Sequence, residues 1–165
     1  MLHVYTGDGK GKTTAAFGLA LRAFGRNKKV AIIQFAKPEK SGEFLACEKI
    51  GIEVYNFGYP GFIIRSPRNE DYVEAKKAWE KAKELMNSNY DVIILDELNI
   101  VLYYNLIEIP EVMRVLLDKK EKMEIIITGR YAKKEIIDIA DLVTEMKMVK
   151  HYFEKGVPAR IGIEF

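Results

Sequence analysis

Apolar positions in this chain fall into two kinds of run. In the first kind nearly every residue is apolar over the length of a strand: Leu2-His3-Val4-Tyr5, Val30-Ala31-Ile32-Ile33-Gln34-Phe35, Val92-Ile93-Ile94-Leu95 and residues 124–128. Blocks without polar alternation are what strands buried on both faces require. Residues 52–57 alternate enough to add a strand, and 142–148 read as a final extended segment. The second kind of run has helical spacing. Residues 13–24 form such a stretch, stopped by Gly25, and 43–50 another, ended by Gly51. Tyr72, Ala75, Trp79, Ala82 and Met86 recur at helical spacing, which predicts the longest helix over 69–87, with Trp79 and the Met residues read as core rather than cofactor contacts. Pro110 opens a helix toward Asp118, and 132–140 is the last. Residues 58–67 are punctuated by Gly and Pro like a loop. Fully apolar strands separated by helices predict a mainly parallel sheet covered on both faces, a three-layer α/β/α sandwich.

Length and composition narrow the class. At 165 residues the chain is expected to form one domain, 1–165, on a prior of ~150 residues per domain. Apolar residues at 48% and charged residues at 30% are an ordinary globular balance. A net charge of +2 gives no ground for a nucleic-acid partner. The single cysteine, Cys47, excludes an intrachain disulfide and a Cys-rich zinc site. No apolar run approaches the ~18 residues of a membrane span, and the first residues carry no charged-then-apolar signal pattern. The expectation is a soluble, cytoplasmic protein with no membrane partner.

The strongest chemical signal is Thr6-Gly7-Asp8-Gly9-Lys10-Gly11-Lys12-Thr13-Thr14, set between a strand and a helix. Three glycines let the backbone wrap so that its N–H groups point at phosphate oxygens, and the helix N-terminus adds its dipole. Lys12 can reach the outer phosphates, and the Thr13 hydroxyl is placed to ligate Mg²⁺. The general phosphate-loop pattern has a glycine five positions before Gly11, where this chain has Thr6. The second signal is the apolar strand that ends in Asp96-Glu97, which would bring a carboxylate beside that Mg²⁺. Spacing does not decide which of the two acids touches the ion. Together these features predict a P-loop NTPase-like, RecA-like sheet. A third strand ends in Thr128-Gly129-Arg130, where Arg130 either faces the nucleotide or is a surface arginine after a turn. His3 and His151 lack metal-ligand spacing.

Residues 6–18 resemble the opening motif of the P-loop class of ATP:corrinoid adenosyltransferases, whose loop has the same shortened glycine spacing. The resemblance continues through residues 30–35, Leu95-Asp96-Glu97-Leu98 and Ile127-Thr128-Gly129-Arg130. It closes with residues 140–145, Val149-Lys150-His151 and residues 156–165, and so covers nearly the whole chain. It implies transfer of the 5′-deoxyadenosyl group of ATP to the Co(I) centre of a reduced corrinoid such as cobalamin, in adenosylcobalamin biosynthesis or salvage. Carried over by position, Gly7, Asp8, Gly9, Lys10, Gly11, Lys12, Thr13 and Thr14 would bind the nucleotide. Thr13 and Glu97 would hold Mg²⁺ with Asp96 in support, and Phe62, with Tyr59, would meet the corrinoid. The family also implies a cytoplasmic homodimer supplied with electrons by a donor such as a flavoprotein. Two departures are expected: with the first strand starting at Leu2, no N-terminal extension is expected to cover the site, and Ile63 or Ile64 stands where a second bulky aromatic is expected. Asp96-Glu97 is also compatible with a RecA-like ATPase, in which Glu97 activates water and Arg130 senses the γ-phosphate, or with a regulatory nucleotide-binding module.

Overall fold

The computed structural model describes residues 1–60 and 66–164. Six parallel strands form one sheet in the order β3-β2-β4-β5-β1-β6. In chain order the elements are β1 (Leu2–Thr6), α1 (Lys12–Phe24), β2 (Val30–Gln34), α2 (Gly42–Ile50), β3 (Glu53–Asn56), α3 (Asn69–Met86), β4 (Val92–Asp96), α4 (Leu98–Tyr103), α5 (Ile109–Lys119), β5 (Glu124–Thr128), α6 (Lys134–Ile139) and β6 (Leu142–Glu145), followed by a 3₁₀ turn at Tyr152–Lys155. The α/β sandwich expected from the apolar pattern is therefore present.

The apolar runs conceal a strict two-residue alternation. Val30 and Ile32 of β2, Val92 and Ile94 of β4 and Ile126 of β5 join one core with Ala16, Phe17 and Ala20 of α1 and Cys47 of α2. Ala31 and Ile33, Ile93 and Leu95, and Ile125 and Ile127 point the other way, into a core shared with Trp79 and Ala82 of α3, Val101 of α4, Leu116 of α5 and Ile136 of α6. Each side chain so buried stabilises the fold by ~1.5–3 kcal/mol relative to exposure. Because all strands are parallel, the turns after β1, β2, β4 and β5 gather at one edge of the sheet, where ligands of open α/β sheets bind.

Helix α4 is absent from the sequence-based expectation. Its six residues, LNIVLY, carry no amphipathic period and are too short to declare a helix locally. Burial of Leu98, Asn99, Val101 and Leu102 holds the turn in place. The short 3₁₀ turn was equally unmarked. Strand β6 is an edge strand exposed on both faces, with Leu142 and Val143 each 42% accessible. Among the described residues no helix is long and apolar enough to cross a membrane.

Candidate nucleotide site

The loop between β1 and α1 is shaped by what lies behind it. A Cβ on Gly9 would sit 2.7 Å from the Met146 carbonyl oxygen and 2.9 Å from the Lys147 carbonyl. One on Gly7 would collide with the same Met146 backbone. The Gly9 N–H donates to the Met146 carbonyl at 2.7 Å, and the Met146 N–H donates to the Thr6 carbonyl at 2.8 Å. The segment leaving β6 thus presses on the loop from outside, which gives a steric reason for glycines at 7 and 9 and for the displaced first glycine. Thr6, where the general pattern has glycine, is the last residue of β1, and its hydroxyl accepts from the Ala132 N–H at 3.3 Å.

Lys12 begins α1 and is buried, with its ammonium donating to the carbonyls of Gly7 (2.7 Å) and Gly9 (2.8 Å). Burial lowers its pKa, with Arg130 and Lys37 adding repulsion that the attraction of Glu97 and Asp8 does not overcome. Lys10 points elsewhere: its ammonium donates to the Tyr152 hydroxyl (3.0 Å), the Ile163 carbonyl (2.6 Å) and Glu164 (2.8 Å), tying the loop to the C-terminal segment. Asp8 is exposed and lies 4.0 Å from the Arg130 guanidinium, so the turn after β5 meets the loop after β1. Thr14 donates its hydroxyl proton to Glu43 at 2.8 Å, on the outer side of α1.

The two acids after β4 occupy different environments. Asp96 is fully buried and its carboxylate accepts three hydrogen bonds: Oδ1 from the Thr128 hydroxyl at 2.6 Å, and Oδ2 from Gln34 Nε2 at 2.9 Å and Lys37 Nζ at 2.8 Å. Burial works against the charge, yet Lys37 and these hydrogen bonds hold the carboxyl below its ordinary pKa. Glu97 adopts a left-handed conformation (φ 65°) and donates its N–H to the Thr128 hydroxyl at 3.0 Å. Its side chain keeps 21% exposure, and burial together with the neighbouring Asp96 pushes its pKa up. Gly129 leaves room for it, since a Cβ there would lie 3.0 Å from Glu97 Oε2.

Lys37 is one of three site residues that sequence reasoning missed. Its ammonium reaches Thr13 Oγ1 at 3.1 Å, Asp96 Oδ2 at 2.8 Å and Glu97 Oε1 at 3.9 Å. It follows Ala36, whose positive φ of 50° turns the chain at the end of β2. Its backbone is fixed by the Phe57 carbonyl at 3.2 Å and the Asn56 side chain at 2.8 Å. No local motif announces it, although its place just after a central strand was available as a signal. Gln34 and Thr128 were missed for the same reason. Among the described residues no group of three or more His, Cys, Asp or Glu side chains converges as a metal cage. A hydroxyl and two carboxylates meeting around an ammonium nevertheless form a donor set that suits a hard cation completed by phosphate and water.

Tyr59 is exposed, its ring 4.7 Å from the Arg68 guanidinium, and Phe62 lies outside the described residues.

Residues 1–165 match the family described as ATP:corrinoid adenosyltransferase BtuR/CobO/CobP. A corrinoid adenosyltransferase from Sinorhizobium sp. is 42% identical over all of this chain and 80% of its own length. One from Escherichia coli K12 is 39% identical over 98% of this chain and 84% of its own. Corrinoid adenosyltransferase CobA of Salmonella typhimurium is 38% identical over the same shares, 98% and 84%. Domain III of the Thermotoga maritima replication initiation protein DnaA matches with a TM-score of 0.45 at 14% identity over 88% of this chain and 53% of that one, too distant to carry an argument. The match over residues 1–165 and relatives 38–42% identical across nearly the whole chain place this chain in the ATP:corrinoid adenosyltransferase family.

Proposed function

We propose that this chain, as a single domain, transfers the 5′-deoxyadenosyl group of ATP to the Co(I) centre of a reduced corrinoid and releases inorganic triphosphate. The observation that carries the reading is the family match over residues 1–165. Co(I) is itself a strong nucleophile, and the reading asks no side chain to supply one. The bond that forms joins cobalt to the C5′ carbon, and the bond that breaks joins C5′ to the α-phosphate oxygen, so all three phosphates depart with the bonding electron pair.

The tasks left to the protein are orientation and stabilisation of that leaving group. Lys12 would exchange its two loop carbonyls for phosphate oxygens, a change made easier because both partners are neutral acceptors. Gly7, Asp8, Gly9, Lys10, Gly11 and Thr14 complete the proposed nucleotide-binding loop, Lys10 and Thr14 by backbone because their side chains are engaged elsewhere, with Arg130 brought to its rim beside Asp8. Thr13, Glu97 and Asp96 would hold Mg²⁺, with Glu97 the more accessible of the two acids and Asp96 fixed behind it by Thr128 and Gln34. When bound, the ion would neutralise charge that accumulates on the triphosphate. Tyr59 and Phe62 are our candidates for the corrinoid face, as apolar surfaces that exclude water. Family resemblance further supports a cytoplasmic homodimer served by a flavoprotein electron donor, without nucleic-acid or membrane partners.

The test follows ATP products by ion-exchange chromatography with and without chemically reduced corrinoid. Triphosphate should appear in step with the adenosylated corrinoid, with little ADP at any time. ADP and orthophosphate formed at equal rates in both samples would make the protein an ordinary ATPase.

A further inference from the structure

We propose that Lys37 is a positioning residue that acts as a resident counter-cation: its ammonium fills the cation position between Thr13, Asp96 and Glu97, and a divalent ion enters by displacing it. The inference rests on the reading above that these three side chains hold the metal. Three observations carry it. The ammonium makes its closest polar approaches to the same oxygens that would ligate the ion: Thr13 Oγ1 at 3.1 Å, Asp96 Oδ2 at 2.8 Å and Glu97 Oε1 at 3.9 Å. Asp96 has no exposed surface, so without a cation its charge would stand in the interior supported only by Thr128 and Gln34. An unpaired buried charge is strongly destabilising, which is a reason for the fold to carry its own cation while the site awaits metal and nucleotide.

The third observation is that exchange needs little more than a side-chain movement. The Lys37 backbone is locked by hydrogen bonds to Phe57 and Asn56, and Gly58 packs so closely that a Cβ there would lie 2.6 Å from the Lys37 carbonyl carbon. The side chain, by contrast, is 26% exposed and rotates about four bonds, so the ammonium can leave for solvent while its anchor stays fixed. An ammonium and a divalent ion cannot share this space, because their charges repel at a few ångströms. Binding of the ion and withdrawal of Lys37 are therefore linked. The nucleotide-free protein should bind divalent ions weakly, and ATP phosphates should tip the exchange by adding ligands to the metal.

The experiment measures Mn²⁺ binding to the nucleotide-free full chain by electron paramagnetic resonance of the free ion, for wild type, Lys37→Met, Lys37→Gln and Lys37→Arg. An opposite charge beside a carboxylate alters its proton affinity by about 1–3 pK units, so removing Lys37 should tighten Mn²⁺ by at least about tenfold. Lys37→Met and Lys37→Gln should both show the gain, and Lys37→Arg, which keeps the charge, should not. Thermal unfolding gives an independent reading: the two neutral variants should melt lower than wild type in EDTA and recover more on adding Mn²⁺. Lys37→Gln retains a donor for Asp96 and covers the case in which Lys37→Met folds poorly. Unchanged Mn²⁺ affinity in the neutral variants, while wild type binds Mn²⁺ with ATP, overturns the role of Lys37 alone. Failure of every protein to bind Mn²⁺ even with ATP, judged against the same Mn²⁺–ATP mixture without protein, overturns the metal-site reading and this inference with it.

Discussion

Replacing Gly9 with alanine isolates the contact between the phosphate loop and the segment leaving β6. Gly9 does not require a left-handed backbone, whereas Gly7 (φ 97°) and Gly11 (φ 118°) do, so the added methyl tests space alone. That methyl would lie 2.7 Å from the Met146 carbonyl oxygen and 2.9 Å from the Lys147 carbonyl carbon, both backbone atoms. The obstacle cannot turn aside as a side chain would, since Met146 is held by its own N–H on the Thr6 carbonyl at 2.8 Å. Overpacking of this kind costs about 1–3 kcal/mol. Separating the loop from the segment also sacrifices the Gly9–Met146 hydrogen bond, a further ~1 kcal/mol. The sum, about 2–4 kcal/mol, corresponds to a melting-temperature loss on the order of 5–15 °C for a chain of this size. Urea unfolding of Gly9→Ala beside Gly18→Ala provides the comparison. Gly18 lies inside α1 with nothing within 4 Å of a Cβ, so its substitution should stabilise by ~0.5–1 kcal/mol. ATP binding should weaken in Gly9→Ala and stay intact in Gly18→Ala. Gly9→Ala unfolding within ~0.5 kcal/mol of wild type, the range of a surface substitution, would refute the claim that Met146 dictates the loop's glycines.

Lys12→Ala should lower the rate of adenosyl transfer about 10²–10³-fold at saturating ATP, the usual cost of removing one electrostatic group from a developing charge; single-turnover formation of the adenosylated corrinoid measures it. Ile94→Ala removes a fully buried side chain at the centre of the sheet, between Ile32 and Ile126, and should destabilise by about 2–5 kcal/mol in urea. Asp71 accepts hydrogen bonds from the Arg68 guanidinium and from the Arg68 N–H at the start of α3, and these hold its pKa below the ordinary value despite burial. Its contribution is therefore complete above the unfolded pKa of ~3.9 and is lost as pH falls through the lower folded value. Asp71→Asn should be less stable than wild type by about 1–2 kcal/mol near neutrality, with the difference closing in acid; a parallel gap at every pH would contradict the assignment.

Local pattern was enough to determine the strands, most helices, the glycine-rich loop between β1 and α1 and the acid pair at the end of β4. Two-sided burial leaves unbroken apolar blocks such as 92–95, and a strand–glycine loop–helix junction needs only neighbouring residues to be recognised. What followed from tertiary structure alone was convergence. Helix α4 forms because its apolar residues are buried, not because six residues favour a helix. Lys37 stands 59 positions from Asp96 in the chain, and only the pairing of β2 with β4 brings them to 2.8 Å. Gly7 and Gly9 face Met146 because β1 pairs with β6, a contact that spacing within the loop does not encode. The unlike roles of Asp96 and Glu97 come from the same source. The pair is adjacent in sequence, yet the strand buries one against Thr128 and Gln34 while the left-handed turn at the other leaves it partly accessible, a difference set by the sheet's neighbours and not by the two residues themselves.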